Sequence, residues 1–119
     1  MRFVLFTYPD PDYAEGWTGL TEEERTAELD EHNAWFAKYG ERIRGGANLV
    51  YPKVIRTVRR RGGQPVTTDG PFIETKEILG GVIIVEVDGW DDATAMAAEW
   101  PSLHQGPGAG VQVEAVVEH

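Results

Sequence analysis

Thr67-Thr68-Asp69-Gly70-Pro71-Phe72-Ile73-Glu74-Thr75-Lys76-Glu77 joins an arginine-rich hairpin pattern to the most apolar run of the chain, Ile78 to Val87. The stretch holds a turn signal, an acid on that turn, an aromatic and a run of alternating charge. Asp-Gly-Pro is a common turn, in which the aspartate bonds to its own backbone two residues on, and needs no function to explain it. A packed core gives little local reason to follow it with Phe72, so the same stretch also reads as one wall of a polar site. Upstream, Val54 to Arg60 reads as a half-exposed strand with outward arginines. Arg61-Gly62-Gly63 follows as a hairpin turn and Gln64 to Thr68 as the returning strand. Downstream, Ile78 to Val87 reads as a buried strand with Gly80-Gly81 near its start.

Working outward, Arg2 to Tyr8 is short, β-branched and aromatic, apolar on both faces, and reads as a central strand. Pro9 opens a loop to about Leu20 that carries Tyr13 and Trp17, two large aromatics that either cover the core edge or line a mouth. Thr21 with Glu24 is a capping box, so a helix is expected from Glu22 to about Tyr39, ending at Gly40. Leu29, His32, Trp35, Phe36 and Tyr39 fall on one face, which should turn to the sheet, while Glu22, Glu23, Arg25, Glu28 and Glu31 point to solvent. Ala47 to Tyr51 reads as a strand, preceded at Gly45-Gly46 by a bulge or a close backbone approach. Near the other end, Asp88 or its neighbour caps a second helix, Trp90 to about Trp100, stopped by Pro101. Its buried stripe is Trp90, Ala93, Met96, Ala97 and Trp100. Ser102 to Gly110 is a loop rich in Gly and Pro, and Val111 to Val117 alternates as the last strand.

Two βαβ units in tandem with an extra hairpin predict an α+β fold: a ferredoxin-like βαβ-βαβ antiparallel sheet, both helices on one face, and an inserted hairpin. The far face of that sheet needs a cover. A second copy of the chain provides it, so a homodimer packing sheet on sheet is expected.

The 119 residues suit one domain, 1–119. With 11 Lys+Arg against 20 Asp+Glu the net charge is −9, which speaks against nucleic acid and anionic membrane as partners. The absence of cysteine excludes disulfides and thiolate metal sites and is compatible with a reducing, cytoplasmic setting. No apolar run nears the roughly 20 residues that cross a bilayer, and the chain starts on a strand pattern rather than a signal peptide.

His32 is the first candidate for chemistry, because its imidazole titrates unperturbed between about pH 5 and 8. On an apolar helix face it is either a satisfied core residue or a general base. Asp69 is the second. It serves the turn, or it reaches the His32 ring, holds one tautomer and leaves the other nitrogen free. His32, His104 and His119 lie far apart and show no metal-ligand spacing. Gly106 to Gly110 matches a phosphate loop only in glycine count. Arg56, Arg59, Arg60 and Arg61 form either a solvated hairpin or an anion clamp. No cofactor is implied. The enzyme reading puts a small organic ligand between the first helix and the sheet, with Phe72, Trp35 and Tyr8 as walls and Gly70, Pro71 and Lys76 in the binding set.

Thr68-Asp69-Gly70-Pro71-Phe72, Glu74-Thr75-Lys76-Glu77 and Leu79-Gly80-Gly81 together resemble the signature of the DGPF-domain branch of the YCII-related family. His32-x-x-Trp35, with Ile43, Gly45-Gly46 and Leu49, is similar to the histidine-bearing helix and following strand of YCII proteins proper. The resemblance implies a dimeric α+β barrel and a small-molecule enzyme centred on a His-Asp pair, carried here by His32 and Asp69. Proton abstraction with elimination, of lyase type, fits a base without a cofactor. The resemblance also leaves open a non-catalytic ligand-binding or regulatory module associated with sigma factors. Glu114 stands where the family often has an arginine, and the loop Gln105 to Gly110 is longer than usual.

Overall fold

The computed structural model describes residues 1–71 and 78–118. Four strands form one sheet: β1 (Arg2–Tyr8), β2 (Ile43–Asn48), β5 (Gly81–Glu86) and β6 (Gly110–Ala115), in the order β2-β5-β1-β6. Every pairing in it is antiparallel. Two long helices, α2 (Glu22–Tyr39) and α3 (Trp90–Ala98), complete an α+β, ferredoxin-like arrangement. A separate hairpin, β3 (Arg56–Arg61) with β4 (Gln64–Asp69), is inserted between β2 and β5.

The core forms where alternation delivers apolar side chains to one face. Phe3 and Leu5 of β1 and Ile83 and Val85 of β5 are buried, while the intervening Val4, Phe6, Val82 and Ile84 remain partly exposed on the other face. Against the first set pack Trp35 from α2 and Ala93, Met96 and Ala97 from α3, with Trp100 beyond its end. The small alanines let α3 come close. Trp35 donates its indole N–H to the Met96 carbonyl at 3.0 Å, which satisfies the one polar atom of a buried ring and fixes α2 against α3. Trp100 meets Trp35 and Phe36 edge to face.

Local signals account for the boundaries. Thr21 Oγ1 accepts from Glu24 N and Glu24 Oε1 accepts from Thr21 N, so the expected capping box starts α2. At the other end Gly40 keeps right-handed dihedrals, and the chain tightens into a 3-10 turn, Gly40–Arg42. The register shift between Ile43 and Gly45 is the expected bulge. Gly46 is the close approach: a Cβ there would lie 2.4 Å from the Val82 carbonyl oxygen. Gly62 and Gly63, at φ +56° and +77°, close the hairpin by a turn that other residues strain to adopt.

Several expectations are corrected. β2 begins four residues earlier than Ala47, because the two glycines pair with β5 rather than precede the strand. The loop after β1 contains α1 (Pro11–Glu15) and a 3-10 turn, Trp17–Gly19. Asp10 caps α1 by accepting from Tyr13 N, and Pro11 fits the first helical position. α3 is capped, as one of the two expected positions, by Gly89 beside Asp88, and without a side-chain bond. Trp90 is half exposed rather than buried, resting on Phe3 with ring centroids 4.9 Å apart. Leu29 is also exposed, and Glu28 turns inward, because this end of α2 lies over a pocket instead of over the sheet.

Candidate functional site

The pocket, about 450 Å³, opens between the first half of α2, the upper ends of β1 and β2, and the turn after α3. Leu29, Phe36, Trp17 and Trp100 give it apolar walls, and His32, Ser102, Glu28 and Tyr13 bring polar atoms to it.

His32 is held at both nitrogens. Nδ1 lies 2.7 Å from the carbonyl oxygen of Glu28, one helical turn back. A carbonyl only accepts, so Nδ1 carries the hydrogen. In the neutral ring the lone pair is then on Nε2, which lies 3.0 Å from Ser102 Oγ and accepts the hydroxyl hydrogen. Gln105 Nε2 donates to the same Oγ at 3.4 Å, and Gln105 Oε1 accepts from Asp10 N at 3.4 Å. Trp100 meets the imidazole edge to face at 4.9 Å.

Ser102 is positioned by sequence punctuation. Pro101 ends the helical run and starts a 3-10 turn, Pro101–His104, that tucks Ser102 under α2. The glycine-rich loop behind it is a strap. Asp10 Oδ2 accepts from Gly108 N at 2.9 Å and Oδ1 from Tyr13 N at 3.1 Å. A Cβ at Gly106 would lie 2.6 Å from Asp10 Oδ2, so a larger residue would push the strap off. The two N–H donors, Tyr13 first, hold the Asp10 carboxyl below its ordinary value. The Tyr13 phenol is pushed up to about 12, by burial first and then by the Glu28 carboxyl beside it, so it remains a proton donor at neutral pH.

Of the predicted catalytic and binding residues that the structure describes, His32 lines this pocket, and so do Tyr13 and Trp17 of the loop after β1. Asp69 does not meet it: it is the exposed last residue of β4, paired across the hairpin with Arg56, and the orienting partner of the ring is the Glu28 carbonyl. Gly70 bonds back to Ile55 O and Pro71 is exposed, both at the hairpin's end. Trp35 is core, 4 % exposed. Tyr8 borders a shallower groove beside Asp12 and Pro107. Phe72 and Lys76 lie outside the described residues. His104 is exposed on its turn and does not line the pocket. Glu28 was expected to face solvent, although it stands one helical turn before His32 on the same helix. Tyr13 and Trp17 follow the alternative in which the loop aromatics line a mouth, whereas Ser102 had no signal, since only the tertiary fold brings positions 13, 32 and 102 together. Among the described residues no group of His, Asp and Glu side chains is placed to hold a metal ion. No helix among them is long and apolar enough to cross a membrane.

Fold and site together define an α+β domain of ferredoxin-like topology with a histidine in a small-molecule-sized pocket. The chain belongs to the YCII-related domain family, which it matches over residues 1–116. A relative in Rhizobium meliloti (strain 1021), the uncharacterized protein R00369, is 28% identical over 109 residues, covering 92% of this chain and 87% of that protein. Among solved structures the chain is similar to 5-chloro-2-hydroxyhydroquinone dehydrochlorinase (TftG) from Burkholderia phenoliruptrix AC1100, in complex with 2,5-dihydroxybenzoquinone. The TM-score is 0.57 at 18% identity, covering 100% of this chain and 96% of that one, and the likeness is one of fold.

Proposed function

We propose that this protein is a cofactor-independent small-molecule enzyme in which His32 Nε2 is the general base. The observation that carries this reading is the fixed tautomer: Nδ1 is committed to the Glu28 carbonyl, and the basic nitrogen faces the pocket side at Ser102. A ligand that displaces the Ser102 hydroxyl, or bonds to it, comes within reach of that nitrogen. The reaction type proposed is elimination from a hydroxylated ring, the chemistry named for the structural neighbour. A ring hydroxyl gives its proton to Nε2 while the carbon that bears chlorine takes a proton, which makes one carbonyl and a saturated C–Cl carbon; a second hydroxyl para to the first then loses its proton, its electron pair forms the second carbonyl, and chloride leaves with its bonding pair. Loss of HCl balances without an oxidant.

The active form is proposed to be a homodimer. The partly exposed Val4, Phe6, Val82 and Ile84 on the outer sheet face, and the exposed Val58 and Val66 on the hairpin, support that reading. One observation favours the alternative of a non-catalytic ligand-binding module: both His32 nitrogens already have protein partners.

The test is chloride release from 5-chloro-2-hydroxyhydroquinone by the full chain and by His32→Gln. Release by the wild type with a loss of about 10²-fold or more in the variant is expected. Equal rates in the two proteins contradict the base. No release by the wild type removes the elimination and leaves the binding module.

A further inference from the structure

One buried polar atom at the pocket has no protein partner among the described residues. Glu28 Oε2 is buried and has no hydrogen-bond partner among the described residues. The nearest cation-capable atom, His32 Nδ1, is 3.9 Å away, beyond hydrogen-bond distance, and is already committed to the backbone carbonyl of the same residue. A buried acceptor without a donor is destabilising, and such an atom in a folded protein calls for a reason. The local sequence does not require it: an acid at an exposed position of α2 would reach water, as Glu31 does. Here the fold turns Glu28 inward among Leu29, Phe36, Trp17 and Tyr13, at the wall of a 450 Å³ pocket.

We infer that Glu28 Oε2 is a ligand-binding atom, the acceptor for an O–H or N–H donor on a flat, largely apolar ring. Tyr13 supports the assignment from the other side. Its phenol lines the same pocket and is protonated at neutral pH beside that carboxyl, so it brings a donor and no second negative charge to this end of the site. The ligand then has two polar ends: one donor read by Glu28, and one group within reach of Ser102 and the His32 Nε2 lone pair. The apolar walls between them fit a ring and give a hydrated chain nothing to bond. A methyl ether at the Glu28 end brings no donor and leaves the carboxylate oxygen unpaired.

The inference deepens the His32 reading by naming what the same pocket recognises, and it is read by binding alone, so a failure of turnover does not touch it. The probes are resorcinol and its dimethyl ether, 1,3-dimethoxybenzene, titrated calorimetrically into the full wild-type chain and into Glu28→Gln. Resorcinol is expected to bind the wild type at least about tenfold more tightly than the ether, equivalent to about 1.4 kcal/mol. Glu28→Gln is expected to remove that preference while still binding the ether. Equal affinities in the wild type, a preference that survives in Glu28→Gln, or no binding of either ring would each overturn the inference. Should Glu28→Gln fail to fold, the carboxyl carbon resonance of Glu28 in the labelled wild type decides. It is expected to shift with resorcinol and not with the ether, and an unmoved resonance overturns the assignment.

Discussion

The sheet-and-helix body and the β3–β4 hairpin obey different physics within one chain. In the body, alternate residues of β1 and β5 are buried beneath two helices, and Phe3, Val85, Ala93 and Met96 are sealed completely. In the hairpin every residue of β4 is exposed and, among the described residues, the two strands pair only with each other. Burial therefore explains the body and explains nothing about the hairpin. The hairpin holds its shape through backbone pairing and a two-glycine turn, while its valines face outward. A two-stranded ribbon alone is marginal in water. What it rests on, a second copy in the reading proposed above, is outside the single chain.

That contrast can be broken by substitution. Trp35→Ala removes a buried ring and its bond to Met96 O, and is expected to cost about 3–5 kcal/mol by chemical denaturation. Val58→Ser on the hairpin, 63% exposed at the valine, is expected to change the stability of the isolated chain by about 0.5 kcal/mol or less. Comparable losses at the two positions would erase the distinction. A Val58→Ser cost that grows with protein concentration would sharpen it, by assigning the hairpin to a contact between copies. The smallest effect lies at the strap. Asp10 is held below its ordinary value of 3.8, so its contribution is fully present above that pH and is lost as pH falls through the lower folded value. Thermal melts of Asp10→Asn should lie below wild type at neutral pH, with the gap closing under acid. A gap that stays constant down to acid would mean that the bonds from Tyr13 and Gly108 do not depend on the charge.

The body was legible in the sequence because its signals are local and agree. The capping box at Thr21, the stop at Pro101, the bulge at Gly45-Gly46 and the alternation of β1 and β5 each specify an element without reference to the rest. The site was legible in His32 and, as one of two alternatives, in the loop aromatics Tyr13 and Trp17. His32 stands out by chemistry alone. Glu28 looked solvent-facing because helical periodicity assumes that α2 lies flat on the sheet, whereas its first half bridges a pocket. Ser102 and Tyr13 are 70 and 19 residues from His32 in sequence, and nothing short of the folded chain joins them. Asp69 drew attention through a specific motif, and that motif ends a hairpin whose purpose the single chain does not reveal.

The central claim is that the Glu28 carbonyl, not Asp69, sets the tautomer of His32. Nitrogen-15 spectra of the His32 ring, in the wild type and in Asp69→Asn at a pH where the ring is neutral, test it directly. The account predicts a hydrogen on Nδ1 and an unprotonated Nε2 in both proteins. A hydrogen on Nε2, or a tautomer that changes in Asp69→Asn, would contradict it and return the orienting role to Asp69.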